Sequence, residues 1–322
     1  MDELIKKLVS KLPYEKDNTQ SFYVFVKTAF NRYNQELSKI EAEQFETFLK
    51  ESNEMSCKPT KVRFINLINR IESYCLSILC ATYKGDLYNA IKLLRKLLKQ
   101  ANFTDYKLKD ELLVYFRFSF KDKEDAILYR CVDYNKDDYI KDCYHLPCEL
   151  RHKASRNRFN QLGVICMYLS SSPKIAIKEA GKLEKGKERW LGSFKMKRNA
   201  FFLNFKIPSC EEIDKMTSYD KFSFLITYPF LILCLTKDKD KQSNTFCDSY
   251  LFSQLFFQSL FFNIGNDDNV YFDGIIYSSM EDRNEYNIVI PAKYDTNEPP
   301  EKGYSEFVRQ LISVAYPPRR IV

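Results

Sequence analysis

The segment that most constrains the fold is Arg156-Asn-Arg-Phe-Asn-Gln-Leu-Gly-Val-Ile-Cys-Met-Tyr-Leu-Ser-Ser-Ser-Pro-Lys-Ile-Ala-Ile-Lys-Glu-Ala-Gly181. It predicts a polar loop followed by a buried strand over 164–169, because an apolar run of strand length is bounded by glycine and by a Ser-Pro cluster. A short helix follows, with Ser172 as its N-cap and Pro173 at its first position. The segment therefore predicts a loop, a strand and a helix in that order.

Three side chains of this segment suit an anionic ligand that carries a sugar. Arg158 has a planar fork that matches a phosphate, and Tyr168 has a ring that can stack on a flat heterocycle. Glu179 offers a carboxylate to hydroxyl groups. The order loop, strand, helix brings these residues towards one end of a sheet, where nucleotide-binding pockets are common.

Each of these residues also has an ordinary structural interpretation. Arg158 could be a surface arginine in a loop, Tyr168 a core residue of an apolar strand, and Glu179 a solvated residue of an amphipathic helix. Arg130, which lies in an earlier predicted strand, could be a structural ion-pair partner.

The sequence around this segment predicts a mixed α+β domain over residues 111–322. Strands are predicted at 113–120, 126–134, 199–207, 270–279 and 287–291. Helices are predicted at 210–216, 248–264 and 304–315, around a proline-interrupted apolar segment at 223–235. We expect the helix at 248–264 to pack on the sheet. The basic run at 182–197 is either a solvated face or the rim of a ligand pocket.

Residues 1–110 predict an all-helical N-terminal domain. Apolar residues recur three or four positions apart at 2–12, 19–50, 61–83 and 87–100. The two histidines of the chain, His145 and His152, lie outside this region, which argues against a histidine-dependent ribonuclease there. We expect a regulatory, oligomerisation or target-binding domain.

Composition and charge point to a cytoplasmic protein. The formal net charge of +7 is mixed along the chain, so it suits a small anionic ligand and makes nucleic acid an improbable partner. The start of the chain lacks the pattern of a signal peptide, and the longest apolar run, 222–235, is too short to cross a bilayer. We therefore expect no membrane association.

The cysteines predict reduced thiols rather than disulfides or a metal site. The chain has 10 cysteines but no Cys-x-x-Cys pair. Cys143, His145, Cys148 and His152 are near each other in sequence, but their spacing fits no common zinc pattern. We expect no metal.

The phosphate-binding loops of common nucleotide enzymes are absent from the sequence. Neither Gly-x-x-x-x-Gly-Lys-Ser/Thr nor Gly-x-Gly-x-x-Gly occurs, which argues against a nucleoside triphosphatase or an ordinary dinucleotide oxidoreductase. Cleavage of a ribosyl–nitrogen bond needs fewer groups. One carboxylate facing the oxocarbenium-like transition state can supply much of the stabilisation.

Several motifs in order resemble the RES domain family, which is named for an arginine, a glutamate and a serine. Arg158-Phe-Asn-x-x-Gly, a tyrosine ten residues after the arginine and a glutamate eleven residues after the tyrosine match its central pattern. Further matches are Leu128-Tyr-Arg130, His145-Leu-Pro-Cys-Glu-Leu-Arg151, Tyr250-Leu-Phe-Ser-Gln254-Leu and Asp273-Gly-Ile-Ile-Tyr-Ser-Ser279. The resemblance covers about residues 125–295.

The resemblance implies an ADP-ribosyltransferase-like fold with a mixed β core that uses NAD as its substrate. Carried over by position, the catalytic residues are Glu179, Arg158, Tyr168 and Ser279. The NAD-binding residues are Arg130, Arg158, Tyr168, Asn160 and Ser278, and whether Ser278 or Ser279 is the family serine stays open.

Three functions are compatible with these observations. The first is an NAD-degrading toxin of a toxin–antitoxin or phage-defence system. Its expected partners are an antitoxin or trigger protein and further copies of the same chain. The second is an ADP-ribosyltransferase that modifies a protein or a nucleotide. The third is a non-catalytic binding or adaptor module.

Overall fold

A computed structural model gives the structure of the protein over residues 1–17, 19–43, 45–46, 60–100, 117–119, 126–138, 141–197, 199–238, 247–262, 272–294 and 302–321. The α-helices are α1 (Asp2–Val9), α2 (Phe22–Ser38), α3 (Lys61–Tyr83), α4 (Leu87–Gln100), α5 (Pro173–Glu179), α6 (Cys210–Lys215), α7 (Ser218–Leu235), α8 (Leu251–Phe261) and α9 (Glu306–Leu311). The strands are β1 (Glu15–Lys16), β2 (Arg117–Ser119), β3 (Leu128–Asn135), β4 (Cys166–Ser170), β5 (Lys187–Met196), β6 (Phe201–Phe205), β7 (Lys237–Asp238), β8 (Gly274–Ser278), β9 (Tyr286–Pro291) and β10 (Ile312–Arg320).

The chain forms two compact units, each built from two segments. The helical unit comprises Met1–Phe116 and Ile207–Val270, and the sheet unit comprises Arg117–Lys206 and Tyr271–Val322. We expected one boundary near residue 110, whereas here residues 207–270 belong with the N-terminal helices. The α+β class is confirmed, because one unit is mainly helical and the other holds a mixed sheet.

The sheet unit is built on eight strands in the order β10-β5-β3-β4-β9-β8-β6-β2. Neighbouring strands are antiparallel except β6 and β8, which are parallel. Since parallel neighbours need a long crossover connection, the chain must leave the sheet between them. Residues 207–270 of the helical unit are that connection.

The two faces of the central strands differ because successive side chains point to opposite sides. Leu128, Met167 and Leu169 are buried in a cluster on one side, which we call the core face. Tyr168 and Ser170 lie on the other side, which we call the site face. Asn287 pairs directly with Ser170 across the β4–β9 ladder and therefore shares the site face.

Strands β3 and β4 share little ladder pairing, and we call the junction between them the seam. The two strands share a single registered pair, Tyr129 with Ser170, whereas β3 pairs with β5 continuously from Leu128 to Asn135. The β3–β4 ladder thus stops just beyond Tyr129.

Helix α7 is the central element of the helical unit. Every residue from Phe222 to Leu235 is buried, as expected for a helix that is apolar on all sides. Pro229 lies inside it and cannot donate the usual hydrogen bond to the carbonyl of Leu225. The hydroxyl of Tyr33 on α2 donates to that carbonyl instead, at 2.6 Å.

The two chain segments of the helical unit are also joined by β1 and β7, which form a two-stranded parallel sheet. Buried Lys16 places its Nζ 3.2 Å from Asp248 and 3.5 Å from Asp238.

Several predicted elements have different bounds or partners in the structure. The closing helix predicted at 304–315 ends at Leu311, and β10 follows, because Ile312 and the residues after it pair with β5. The predicted helix at 248–264 is confirmed over 251–261, where it packs against α3, α4 and α7 of the helical unit. The basic run at 182–197 contains β5, most of whose residues are buried, but Lys182, Lys185, Lys195 and Lys197 are exposed, so the interpretation as a solvated face holds for most of its basic side chains.

The remaining predicted elements agree with the structure over the described residues. The helices predicted at 61–83 and 87–100 have these bounds, and the strands at 126–134, 164–169, 199–207, 270–279 and 287–291 are present with shifted ends. The strand predicted at 113–120 is described only over 117–119, where it is a strand. The predicted break at Pro229 is absent, since α7 continues through it.

Candidate functional site

Helix α5 carries Glu179 and begins as the sequence predicts. The hydroxyl of Ser172 accepts the N–H of Ile175 at 3.4 Å, and Pro173 occupies the first turn. Near its other end, Lys178 forms a 3.0 Å ion pair with Glu281, in the connection between β8 and β9. The end of the helix that carries Glu179 is thus attached to that connection.

The carboxylate of Glu179 is exposed but is held at one oxygen by two buried side chains. Ser279 Oγ donates to Glu179 Oε1 at 2.8 Å, and Asn287 Nδ2 donates to the same oxygen at 2.5 Å. Ser279 and Asn287 are 1% and 2% exposed. Within the described part of the chain, no residue donates to Oε2, which leaves that oxygen available to a ligand.

The structure brings Ser279, rather than Ser278, to the glutamate. Ser278 is the last residue of β8 and is fully buried. Because neighbouring strand residues point to opposite faces, it lies with Ile276 on the core face. Ser279 follows the strand and also accepts the N–H of Glu281 at 3.1 Å, which fixes its hydroxyl.

Asn287 is a site residue that our sequence reasoning missed. Its Oδ1 accepts from the hydroxyl of Ser170 at 2.7 Å, so Ser170 and Asn287 form a buried polar pair across β4 and β9. A signal was present in the sequence, since Asn287 is a polar residue directly before the apolar run 288–290 of a strand. Its partner could not be read from that run.

The loop that carries Arg158 is fixed to Tyr168. The Tyr168 hydroxyl donates to Asn160 Oδ1 at 2.8 Å and accepts the N–H of Phe159 at 3.3 Å. Both functions of this hydroxyl are therefore engaged, which favours a stacking role for the partly buried ring over proton transfer. Arg158 itself is 6% exposed.

Asn160 shapes the loop. Its Nδ2 lies within hydrogen-bond distance of the carbonyls of Ser155, Gln161 and Val164, at 2.9 to 3.1 Å. These contacts describe a residue that organises the backbone next to Arg158, whereas the sequence suggested a ligand contact.

Two sets of hydrogen-bonded residues meet the same face of β4, one at Tyr168 and the other at Ser170. Tyr168 and Ser170 are two positions apart in the strand, which separates their side chains by about 7 Å. Tyr168 belongs to the group with Asn160, and Ser170 belongs to the group with Asn287 and Glu179. A ring stacked on Tyr168 would thus have a polar neighbour one side chain further along the strand.

Arg130 lies apart from these groups. It alternates with Tyr129 and therefore belongs to the core face, where its Nη1 is 3.5 Å from Met167 Sδ. Burial lowers the pKa of its guanidinium from the ordinary value. The described residues supply no acceptor for its Nε and no carboxylate in an ion pair, so the interpretation of Arg130 as an ion-pair partner is not supported.

Arg189 attaches the end of α5 to the sheet. It forms a bidentate pair with Asp133, at 2.7 and 2.8 Å, and donates its Nη1 to the carbonyl of Gly181 at 2.8 Å. Asp133 and Arg189 are registered neighbours on β3 and β5. Through these contacts one residue of the basic run, Arg189, connects the end of α5 to β3.

In the cysteine and histidine cluster at 143–152, His145 is held by hydrogen bonds within the fold. Both ring nitrogens of His145 are engaged, since Nδ1 lies 2.7 Å from the Leu146 carbonyl and Nε2 accepts the N–H of Ser305 at 3.1 Å. Burial lowers the pKa of His145 to about 4, which keeps the ring neutral. In the ranges that the structure covers, no group of His, Cys, Asp or Glu is arranged to hold a metal ion.

Comparison with known proteins finds no matching family model, no matching curated protein and no matching solved structure. Among the helices that the structure describes, none combines the length and the apolarity needed to cross a membrane.

Proposed function

We propose that the sheet unit is an NAD-consuming enzyme that cleaves the bond between nicotinamide and ribose. The observation that carries this proposal is the exposed carboxylate of Glu179, held at one oxygen by Ser279 and Asn287. A fixed carboxylate with one open oxygen suits a reaction in which positive charge develops on a sugar.

In the proposed reaction the C1′–N bond of the nicotinamide riboside breaks, and its electron pair stays with the nicotinamide, which leaves as a neutral molecule. The ribose becomes an oxocarbenium-like cation, and an acceptor then forms a new bond to C1′. Glu179 faces this cation and binds a ribose hydroxyl through Oε2. The charge of Glu179 stabilises the transition state more than the bound substrate, so it raises kcat rather than the affinity for NAD.

The other residues have binding roles in this proposal. Arg158 holds the diphosphate, because a guanidinium makes paired charge-assisted hydrogen bonds to phosphate oxygens. Tyr168 stacks on a ring of the ligand, since its hydroxyl is already engaged by Asn160 and Phe159. Arg130, which lies beside the seam, is the proposed second contact to a phosphate or to the ribose.

The proposal extends to the RES family, to an ADP-ribosyltransferase-like fold and to the biological role of a toxin that depletes NAD. The motifs from Leu128 to Ser279 support the family, and the contact between the glutamate and the serine of its name supports the site. A toxin of this kind requires an antitoxin or a trigger to control it.

The test is release of nicotinamide from NAD by the purified full-length chain, with the Glu179→Gln variant as control. We expect release by the wild type and little by the variant. No release by the wild type would leave the non-catalytic binding module as the better interpretation.

A second assay identifies the acceptor. NAD labelled in its adenylate half is incubated with the protein and with cell lysate. Label on a macromolecule identifies ADP-ribosyl transfer, and label in free ADP-ribose or its phosphate identifies hydrolysis or phosphorolysis.

A further inference from the structure

We infer that Asn287, together with Ser170, is a positioning residue that aims the carboxylate of Glu179; this inference rests on the proposed function. The resemblance that pointed to Glu179 and Ser279 assigned no role to either residue. Both are buried, at 2% and 7% exposure, and both belong to the central strands of the sheet.

The chemistry of the three groups fixes their orientation. An ionised carboxylate only accepts hydrogen bonds, so Asn287 must turn its NH₂ group towards Glu179 Oε1, at 2.5 Å. Its oxygen then faces Ser170, whose hydroxyl donates to it at 2.7 Å. The chain of donors runs from Ser170 through Asn287 to Glu179 without a conflict.

The positions of Ser170 and Asn287 explain how this pair orients the carboxylate of Glu179. Helix α5 is short and Glu179 is exposed at its last position, so the helix alone does not fix the carboxylate. Ser279 and Asn287 donate to the same oxygen, from the end of β8 and from β9. Two donors converging on Oε1 restrict rotation of the carboxylate and direct Oε2 away from the sheet.

The test compares Asn287→Asp with Asn284→Asp, an exposed asparagine between β8 and β9 that serves as a matched control. The first variant puts an acceptor in place of the donor, so Glu179 Oε1 keeps only the hydrogen bond from Ser279. We expect kcat for nicotinamide release to fall by about 10- to 100-fold with KM changed less than about threefold.

A second variant, Ser170→Ala, keeps the asparagine but removes the donor to its oxygen. We expect a smaller loss of kcat, of about three- to tenfold, because the amide is then free to turn over. If Asn287→Asp does not fold, as judged by its melting curve, Ser170→Ala decides the question.

The outcomes separate this inference from the proposed function. Wild-type protein that releases no nicotinamide overturns both. An active wild type, with both variants retaining its kcat, overturns the inference alone. A loss confined to KM marks Asn287 as a structural residue and also overturns it.

Discussion

At the scale of single residues, removing the charge of Glu179 and removing the charge of Arg158 should change different kinetic constants. Glu179→Gln keeps the shape of the side chain, so we expect KM for NAD to change little and kcat to fall by about 10²–10³-fold. Arg158→Ala removes a charge-assisted contact to the diphosphate, so KM should rise by about 10- to 100-fold. Steady-state kinetics of nicotinamide release measure both.

The matched control for this pair is Glu184→Gln, since Glu184 is an exposed glutamate that pairs with Lys187 beyond the same helix. Nicotinamide release by Glu179→Gln at the wild-type rate would show that Glu179 is only a solvated helix residue.

A second residue-scale prediction concerns Glu72, a buried carboxyl of α3. Burial raises its pKa from 4.5 to about 7, although Asn34 donates to it at 2.6 Å. The folded state therefore holds this proton more tightly than the unfolded state. Its stabilising contribution is complete below about pH 4.5 and is lost as pH rises through about 7, a change of about 3 kcal/mol.

Urea unfolding at about pH 5 and about pH 8 tests this sign. Glu72→Gln should be more stable than the wild type at the higher pH and should lose most of this difference at the lower one. The exposed variant Glu41→Gln should follow the wild type at both. If the wild type and Glu72→Gln differ by the same amount at both values, the carboxyl does not titrate in this range.

At the scale of elements, α7 depends on a hydrogen bond from another helix. Tyr33→Phe leaves the carbonyl of Leu225 buried without its donor, which should cost about 1–3 kcal/mol of unfolding free energy. In a Pro229→Ala background the N–H of residue 229 can reach the same carbonyl, so the cost of Tyr33→Phe should be smaller. Equal costs in both backgrounds would contradict this coupling, which a double-mutant cycle measures.

Elements with strong local signals could be predicted, and those that depend on distant partners could not. Helix α3 has its predicted bounds because Thr60 caps it and its apolar residues recur with helical period. The residues after Leu311 looked helical, but their pairing with β5 depends on a strand more than a hundred residues earlier. Helix α8 was found, yet its own pattern did not say whether helices or a sheet would cover it.

The candidate site followed the same rule. The spacing of Arg158, Tyr168 and Glu179 was visible within one segment, whereas the hydrogen bond from Ser279 to Glu179 joins residues 100 positions apart. Asn287 was missed because its role comes from two partners, Ser170 and Glu179, that lie 117 and 108 residues away. The position of Arg130 on the core face required the register of β3 and β4, which the sequence does not contain.

At the scale of the whole molecule, the helical unit cannot be removed by cutting near residue 110. A fragment of residues 117–322 retains α6, α7 and α8 but lacks α1 to α4, which belong to the same unit. The buried surface of α7 would then be exposed, so we expect the fragment to aggregate. Soluble yield and size-exclusion chromatography measure this.

Co-expression of residues 1–116 supplies the missing helices and should restore a soluble complex that behaves like the intact chain. The control is a fragment in which residues 207–270 are replaced by a flexible linker long enough to cross from β6 to β8. A soluble, monomeric 117–322 fragment on its own would contradict the assignment of residues 207–270 to the helical unit.

Because the chain passes from the sheet unit to the helical unit and back, residues of the candidate site are synthesised at different times. Glu179 leaves the ribosome 108 residues before Asn287, and the intervening chain includes the whole excursion into the helical unit. At about 5–20 residues per second, translation takes about 5 to 20 s to cover this interval. The carboxylate lacks both of its donors for the first 100 of these residues, until Ser279 is synthesised, and lacks Asn287 until the end. If the proposed activity is correct, a cell that makes this protein has those seconds in which the nascent chain is harmless.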